Sequence, residues 1–244
     1  PLKNLTAWKL IWSDEFDGPN IDLTKWTYDI GGNGWGNHEL EYYTNRSENS
    51  YISNGTLVIK AINEPYGGKN YTSARMKTQY RFNFTYGKVE ARAKLPYGQG
   101  VWPAFWMLGI DIDEKGWPEC GEIDIMELIG KDPIHNHGSV HGPGYDSTST
   151  IQVDGGFSKD FHTFAVEWYP GMISFYTDGK LYSTVYQLDI GNNEWVFNKK
   201  FFIILNLAIG GDWPGPPDNT TVFPQYFEID YVRVYQQQLS EEIN

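Results

Sequence analysis

Apolar and charged residues alternate through "KVEARAKL" at 88–95, with Val89, Ala91, Ala93 and Leu95 on one side and Glu90, Arg92 and Lys94 on the other. A period of two predicts a strand with one dry and one wet face. The stretch "FHTFAVEWYPGMISFYTDGKLYSTV", residues 161–185, predicts three strands in a meander, turned at Pro170-Gly171 and at the hairpin signal Asp178-Gly179. "FFIILNLAIGG", residues 201–211, is almost continuously apolar. It suits a central strand buried on both sides, with a short buried helix as the alternative. Asn206 inside it then needs a hydrogen-bonding partner. Similar short segments rich in Val, Ile, Phe, Tyr and Thr, bounded by Gly, Pro, Asn and Asp, recur along the chain. There is no extended amphipathic helix, fixed-period repeat or linker-like change of composition. The pattern predicts one all-β sandwich domain over residues 1–244, with 236–244, "QQQLSEEIN", as a frayed tail or the stub of a linker.

One apolar stretch breaks the alternation. "GEIDIMELIG", residues 121–130, carries Glu122, Asp124 and Glu127. On a helix these acids would fan out around the axis, and on a regular strand Glu127 would face away from the other two. A β-bulge with one extra residue, Ile125 or Met126, resolves the mismatch and puts all three acids on one face. Glu122 and Glu127 would then lie about 13 Å apart at their α-carbons, close enough for their side chains to lean together. Retaining glycosidases hold two carboxyl groups roughly 5–5.5 Å apart, and inverting ones leave about 6.5–9.5 Å for a water. Asp124 between the glutamates adds a like charge, which favours protonation of its neighbours. By charge count alone, three acids in ten residues read as a solvated face.

Composition narrows the partners. The formal net charge of -12, with no Lys/Arg cluster, excludes nucleic acid and anionic membrane as natural ligands and disfavours sulfated or uronic polymers. Aromatic residues make up 16% of the chain, with 10 Trp and 17 Tyr, more indoles than packing alone requires. Flat apolar faces with polar edges match a sugar ring, so a neutral saccharide is the expected ligand. The single Cys120 excludes an internal disulfide. No apolar run approaches a membrane span. The amino end "PLKNLTAWKL" lacks the regions of a signal peptide, which leaves a cytosolic protein or a mature secreted domain.

The pattern Glu-Ile-Asp-Ile-Met-Glu resembles the bulged signature of glycoside hydrolase family 16. The resemblance extends through "SDEFDG", "GWGNHELEYYT", "YTSARM", "YGKVEARAKLPYGQGVWPAFWMLG", "WPECGEIDIMELIG", "GSVHGPGYD", "ILNLAIGGDWPG" and "FEIDYVRVYQ". These motifs are most similar to the bacterial laminarinases, endo-β-1,3-glucanases that retain anomeric configuration. The resemblance implies a concanavalin A-like β-jelly-roll of two curved antiparallel sheets with an open cleft on the concave face. It implies Glu122 as nucleophile, Glu127 as general acid/base and Asp124 as orienting or sharing a proton with the nucleophile, with no cofactor in the chemistry. Trp102, Trp106, Trp117, Arg75, Asn37 and His141 are implied as substrate contacts, with Asn206 and Trp213 as further cleft candidates. A structural calcium held by Glu15, the carbonyl of Gly55 and Asp230 is also implied, on the convex face.

The implied partner is a β-glucan, laminarin-like or mixed-linkage, and the implied form is a secreted monomer or one module of a larger secreted enzyme. Agarases and carrageenases share the bulged motif, so it fixes chemistry better than sugar. A lectin-like jelly roll is the rival from another class, although a lectin has no use for two facing glutamates. His135, His137 and His141 share strand parity and read alternatively as a zinc triad, but no carboxylate at matching spacing completes such a site.

Overall fold

A computed structural model describes residues 5–239. The first strands are β1 (Leu5–Asp14), β2 (Thr27–Asp29), β3 (Glu41–Tyr43), β4 (Ser50–Ser53), β5 (Thr56–Tyr66) and β6 (Lys69–Ser73). They are followed by β7 (Arg75–Lys77), β8 (Gly87–Lys94), β9 (Val101–Gly109), β10 (Glu122–Glu127), β11 (His135–Gly142) and β12 (Tyr145–Gln152). The remainder are β13 (His162–Tyr169), β14 (Met172–Thr177), β15 (Lys180–Tyr186), β16 (Phe201–Ile209) and β17 (Gln225–Leu239). A one-turn helix at Ile112–Lys115 and a 3₁₀ turn at Gln187–Ile190 are the helical elements among the described residues. None of these helices is long and apolar enough to cross a membrane.

The strands form two sheets in a jelly-roll sandwich. One has ten strands, ordered β15-β14-β13-β8-β17-β5-β6-β3, with β1 joined to β17 and β4 to β5. The other has seven, ordered β12-β11-β10-β9-β16-β7-β2. Pairing is antiparallel except between β3 and β6. The sequence pattern explains the packing directly. β8 buries every second residue, so Val89, Ala91 and Ala93 enter the core. The 161–185 meander closes at Asp178-Gly179 with φ of 50° and 74°, as a tight hairpin turn of this type requires.

β16 is buried along its whole length because it has two apolar faces to cover. Phe201, Ile203, Leu205, Leu207 and Ile209 pack between the sheets. Phe202 and Ile204 turn the other way, into a second cluster with Leu108 and Cys120 beneath Trp106. The seven-stranded sheet therefore has a dry inner face, and its outer face carries the cleft. Gly109 lets β9 turn into the loop before β10, since a β-carbon there would lie 1.9 Å from the Cys120 carbonyl oxygen.

Residues 39–43 cross between the sheets. Leu40 N donates to Ile209 O at 2.7 Å, at the end of β16, and β3 then pairs with β6 in the other sheet. Gln236–Leu239, expected from local polarity to be tail, instead extend β17. Gln236 pairs in register with Lys9 and Gln237 with Trp8, and Gln236 Nε2–H donates to the carbonyls of Thr85 and Tyr86 at 3.1 Å. The correction has a physical cause: the partner strand comes from the other end of the chain. Residues 240–244 of the expected tail lie outside the described residues.

Candidate active site

The bulge expected in the acidic stretch is present, and Ile125 is the extra residue. On β9, Asp124 pairs with Trp106 and Met126 with Phe105, which leaves Ile125 without a partner in that ladder. Ile123, Ile125 and Met126 are all buried in the core. The three acids emerge on the opposite face, each flanked on both sides by cleft-lining residues. Glu122 lies between Leu108 and His141, Asp124 between Trp106 and Ser139, and Glu127 between Ala104 and His137. The cleft encloses about 830 Å³.

Tryptophans hold the outer two acids. Trp117 Nε1–H donates to Glu122 Oε2 at 2.6 Å, and Trp102 Nε1–H donates to Glu127 Oε1 at 3.2 Å. Asp124, 1% exposed, lies 3.0 Å from His141 Nε2 through its Oδ2. Burial, and then the charges of Glu122 and Glu127, push the Asp124 carboxyl well above the usual carboxylate range. Burial, followed by the charge of Glu122, raises Glu127 to about 8, against the pull of its bonds with Trp102 and Asp124. The setting thus favours the protonated form of both Asp124 and Glu127.

Aromatic faces line the rest of the cleft. Trp117 is 56% exposed, and Trp213 sits edge-on to both Trp102 and His137 with ring centroids 5.7 and 5.1 Å away. The Arg75 guanidinium lies 4.9 Å from each of the Trp35 and Trp106 rings, and its Nε–H donates to Asp29 Oδ2 at 2.8 Å. Asn37 Nδ2–H donates to Glu39 Oε2 at 2.9 Å, and the Asn37 carbonyl accepts from Asp212 N at 2.8 Å. Asn206, buried beneath the cleft, accepts from Trp106 Nε1–H at 2.7 Å, which supplies the partner it needed. All eight residues expected to touch substrate therefore line one cavity.

The histidines do not form a triad. His135 binds Asp132 and His137 binds Thr150 Oγ1, and only His141 joins the acids. Glu122, Asp124 and His141 bring their donor atoms within 4.8 Å of one another, but Trp117 already donates to the Glu122 carboxylate.

The residues expected to hold calcium converge in register. β17 pairs with β5 up to Ile229 opposite Leu57 and with β1 from Val232 opposite Asp14, leaving Asp230 between the ends that carry Gly55 and Glu15. Both carboxylates are occupied by arginines. Glu15 accepts from Arg233 Nε–H at 3.1 Å and is held below the usual carboxylate range by that contact, and Asp230 accepts from Arg92 at 2.9 Å. A hard cation there would have to draw each carboxylate from its guanidinium.

Residues 37–233 match the sequence model of Glycosyl hydrolases family 16. The chain belongs to that family. It is 44% identical to a Rhodothermus marinus beta-glucanase over 93% of this chain and 85% of that one. It is 39% identical to a Cryptopygus antarcticus glucan endo-1,3-beta-glucosidase over 93% of this chain and 92% of that one. Among solved structures, the catalytic domain of a Thermotoga petrophila endo-1,3-beta-glucanase (laminarinase) superposes with a TM-score of 0.92 at 48% identity, covering 95% of this chain and 99% of that one.

This family 16 chain also lines its cleft with residues that the sequence reading passed over. Trp35 stands two positions before Asn37 in "GWGNHELEYYT", so its signal was in plain view. His137 shares parity with His141 but drew notice only as a metal ligand. Ser139 and Thr148, 2.9 Å apart across β11 and β12, carry no local signal.

Proposed function

We propose that the protein is a retaining endo-hydrolase of β-1,3-glucans, with a single catalytic domain, acting on laminarin-like chains and on mixed-linkage β-1,3-1,4-glucan. The observation that carries this reading is the bulge at Ile125, which sets Glu122 and Glu127 on either side of a buried Asp124 in a tryptophan-lined cleft. Glu122 attacks the anomeric carbon as Glu127 delivers its proton to the departing glycosidic oxygen. Water then opens the glycosyl-enzyme, with Glu127 now taking the proton. Trp117 N–H steadies the Glu122 anion, and Asp124 supplies a proton-bearing neighbour to both glutamates. The exposed indoles of Trp117 and Trp213 offer stacking faces to glucose rings. The chemistry draws on these side chains alone, and secretion fits a polymeric substrate that cannot enter cells.

Side-by-side product analysis on laminarin, lichenan, agarose and carrageenan tests the reading. Laminarin is expected to yield a ladder of oligosaccharides, with newly formed ends β-anomeric at early times. Binding to laminarin without new reducing ends would instead establish a lectin. Cleavage confined to agarose or carrageenan would reassign the substrate.

A structural calcium at Glu15, Gly55 and Asp230 belongs to the same reading. Calcium at a hundredfold excess over its Kd is expected to stabilise the fold by about 2.7 kcal/mol, and a chelator to lower Tm accordingly. An unchanged Tm in protein shown by elemental analysis to contain the metal would remove that role.

A further inference from the structure

Two glutamates that the hydrolytic scheme does not use lie at the end of the cleft formed by Asn37 and Trp106, Glu39 in its lining and Glu41 outside it. Glu39 is 4% exposed and Glu41 0%. They reach this position because residues 39–43 cross between the sheets, where Ile209 N donates to Glu41 Oε2 at 3.2 Å. The titratable and charged groups around them are few. Tyr43 comes from β3 itself, and Arg75 of β7, whose charge reaches Tyr43, is already held by Asp29 of β2. His38, next in the chain, turns outward onto exposed Asp212.

The hydrogen bonds around the pair run in one direction. Trp106 Nε1–H can only donate, so its 2.7 Å bond fixes which end of the Asn206 amide faces it. Asn206 Nδ2–H donates to the Tyr43 hydroxyl at 3.1 Å, and Tyr43 O–H donates to Glu39 Oε1 at 3.1 Å. Asn37 Nδ2–H donates to Glu39 Oε2 at 2.9 Å. Both oxygens of Glu39 therefore accept, as an anion's would. Glu41 differs: its Oε1 is buried without a hydrogen-bond partner, and the nearby Tyr43 hydroxyl gives its proton to Glu39 instead. Glu39 acts on its carboxyl both by contact and by charge, and two carboxylates without a proton repel rather than bond. A proton on Glu41 Oε1, donated to Glu39, satisfies both residues. Burial, then the contact with Glu39, hold Glu41 well above the usual carboxylate range.

We infer that Glu39 and Glu41 are a positioning pair: a protonated Glu41 anchors an anionic Glu39, which holds Asn37 directly and Trp106 through Tyr43 and Asn206. The pair sets how tightly this end of the cleft grips a glucan, not how fast the bond is cut. The inference rests on the glucanase reading for its ligand.

Steady-state cleavage of laminarin and binding of a laminari-oligosaccharide, followed by tryptophan fluorescence, test it together. Glu39→Gln is expected to raise KM and Kd about tenfold with kcat within about threefold, the loss of a hydrogen bond to a charged group. Glu41→Leu is expected to do the same. Glu41→Gln should restore KM, because its amide N–H replaces the acid's O–H while its oxygen still accepts from Ile209. Tyr43→Phe cuts the chain of bonds but keeps the ring, and should raise KM even if Glu39→Gln does not fold. In the infrared, a protonated-carboxyl band is expected to disappear in Glu41→Gln but not in Tyr43→Phe.

KM unchanged in Tyr43→Phe and Glu39→Gln overturns the positioning role, as does a Glu41→Gln variant as impaired as Glu41→Leu. A wild type that neither cuts nor binds sinks the glucanase reading and the pair's role with it. A wild type that cuts while KM stays fixed in the variants sinks the pair's role alone.

Discussion

Glu127→Gln is expected to lose about 10²–10⁴-fold in kcat on laminarin and far less on an aryl β-glucoside. A sugar leaving group departs as a poor alkoxide unless it is protonated, whereas a phenolate with electron-withdrawing groups needs little help. The environment of Glu127 suits it to give that proton, since burial and the charge of Glu122 hold it at about 8. Wild-type kcat/KM on laminarin should accordingly fall as pH rises above 8, and Glu127→Gln should lose this limb on the aryl substrate. Equal loss on both substrates would count against the role.

The same residue predicts a cost in stability. The folded value of Glu127 lies above its ordinary 4.5, so the stability gained by holding the proton is complete below 4.5 and is lost as pH climbs through 8. Glutamine carries no such dependence. Glu127→Gln should therefore melt above the wild type at pH 8 and much closer to it at pH 4. Calorimetry at the two pH values reads this directly, and a variant that melts below the wild type at pH 8 would contradict it.

Glu122→Ala is expected to fall further, by roughly 10⁴-fold or more in kcat, on every substrate. In the proposed mechanism, removing the carboxylate deletes the group that forms the covalent intermediate, and Trp117 N–H is left with nothing to steady. The vacated space beside Trp117 and His141 admits a small anion, so azide should restore turnover on an activated aryl glycoside. The product should be a glycosyl azide of inverted configuration. A variant cutting at the wild-type rate without azide would exclude Glu122 as nucleophile.

The chain displays much of this in its own pattern. β8 and the meander β13–β15 follow from period-two alternation and a hairpin signal, both local. The bulge was legible because a parity fault in a strand permits few remedies, and one extra residue among apolar neighbours is the least disruptive. The cleft aromatics were legible as motifs. What escaped notice depends on distant partners. Gln236 and Gln237 look like tail until β1 pairs with them from the opposite end of the chain. Glu39, Glu41 and Tyr43 carry no signal of their own because nothing local shows that residues 39–43 cross between the sheets. Asn206 lay between these cases: its need for a partner was evident, but its donor, Trp106, is a hundred positions away.

The sheet that carries the acids has the core on its reverse side. Each cleft-facing position on β9, β10 and β16 neighbours a side chain packed inward, so Ile123 and Met126 share a backbone with Glu122 and Glu127, as Phe105 does with Trp106. A methyl group gained or lost beneath the cleft would tilt the backbone that aims a carboxylate. Random variation in this enzyme should then reveal its rate modifiers among buried aliphatic and aromatic positions that never meet a sugar, and a search confined to the rim would overlook them.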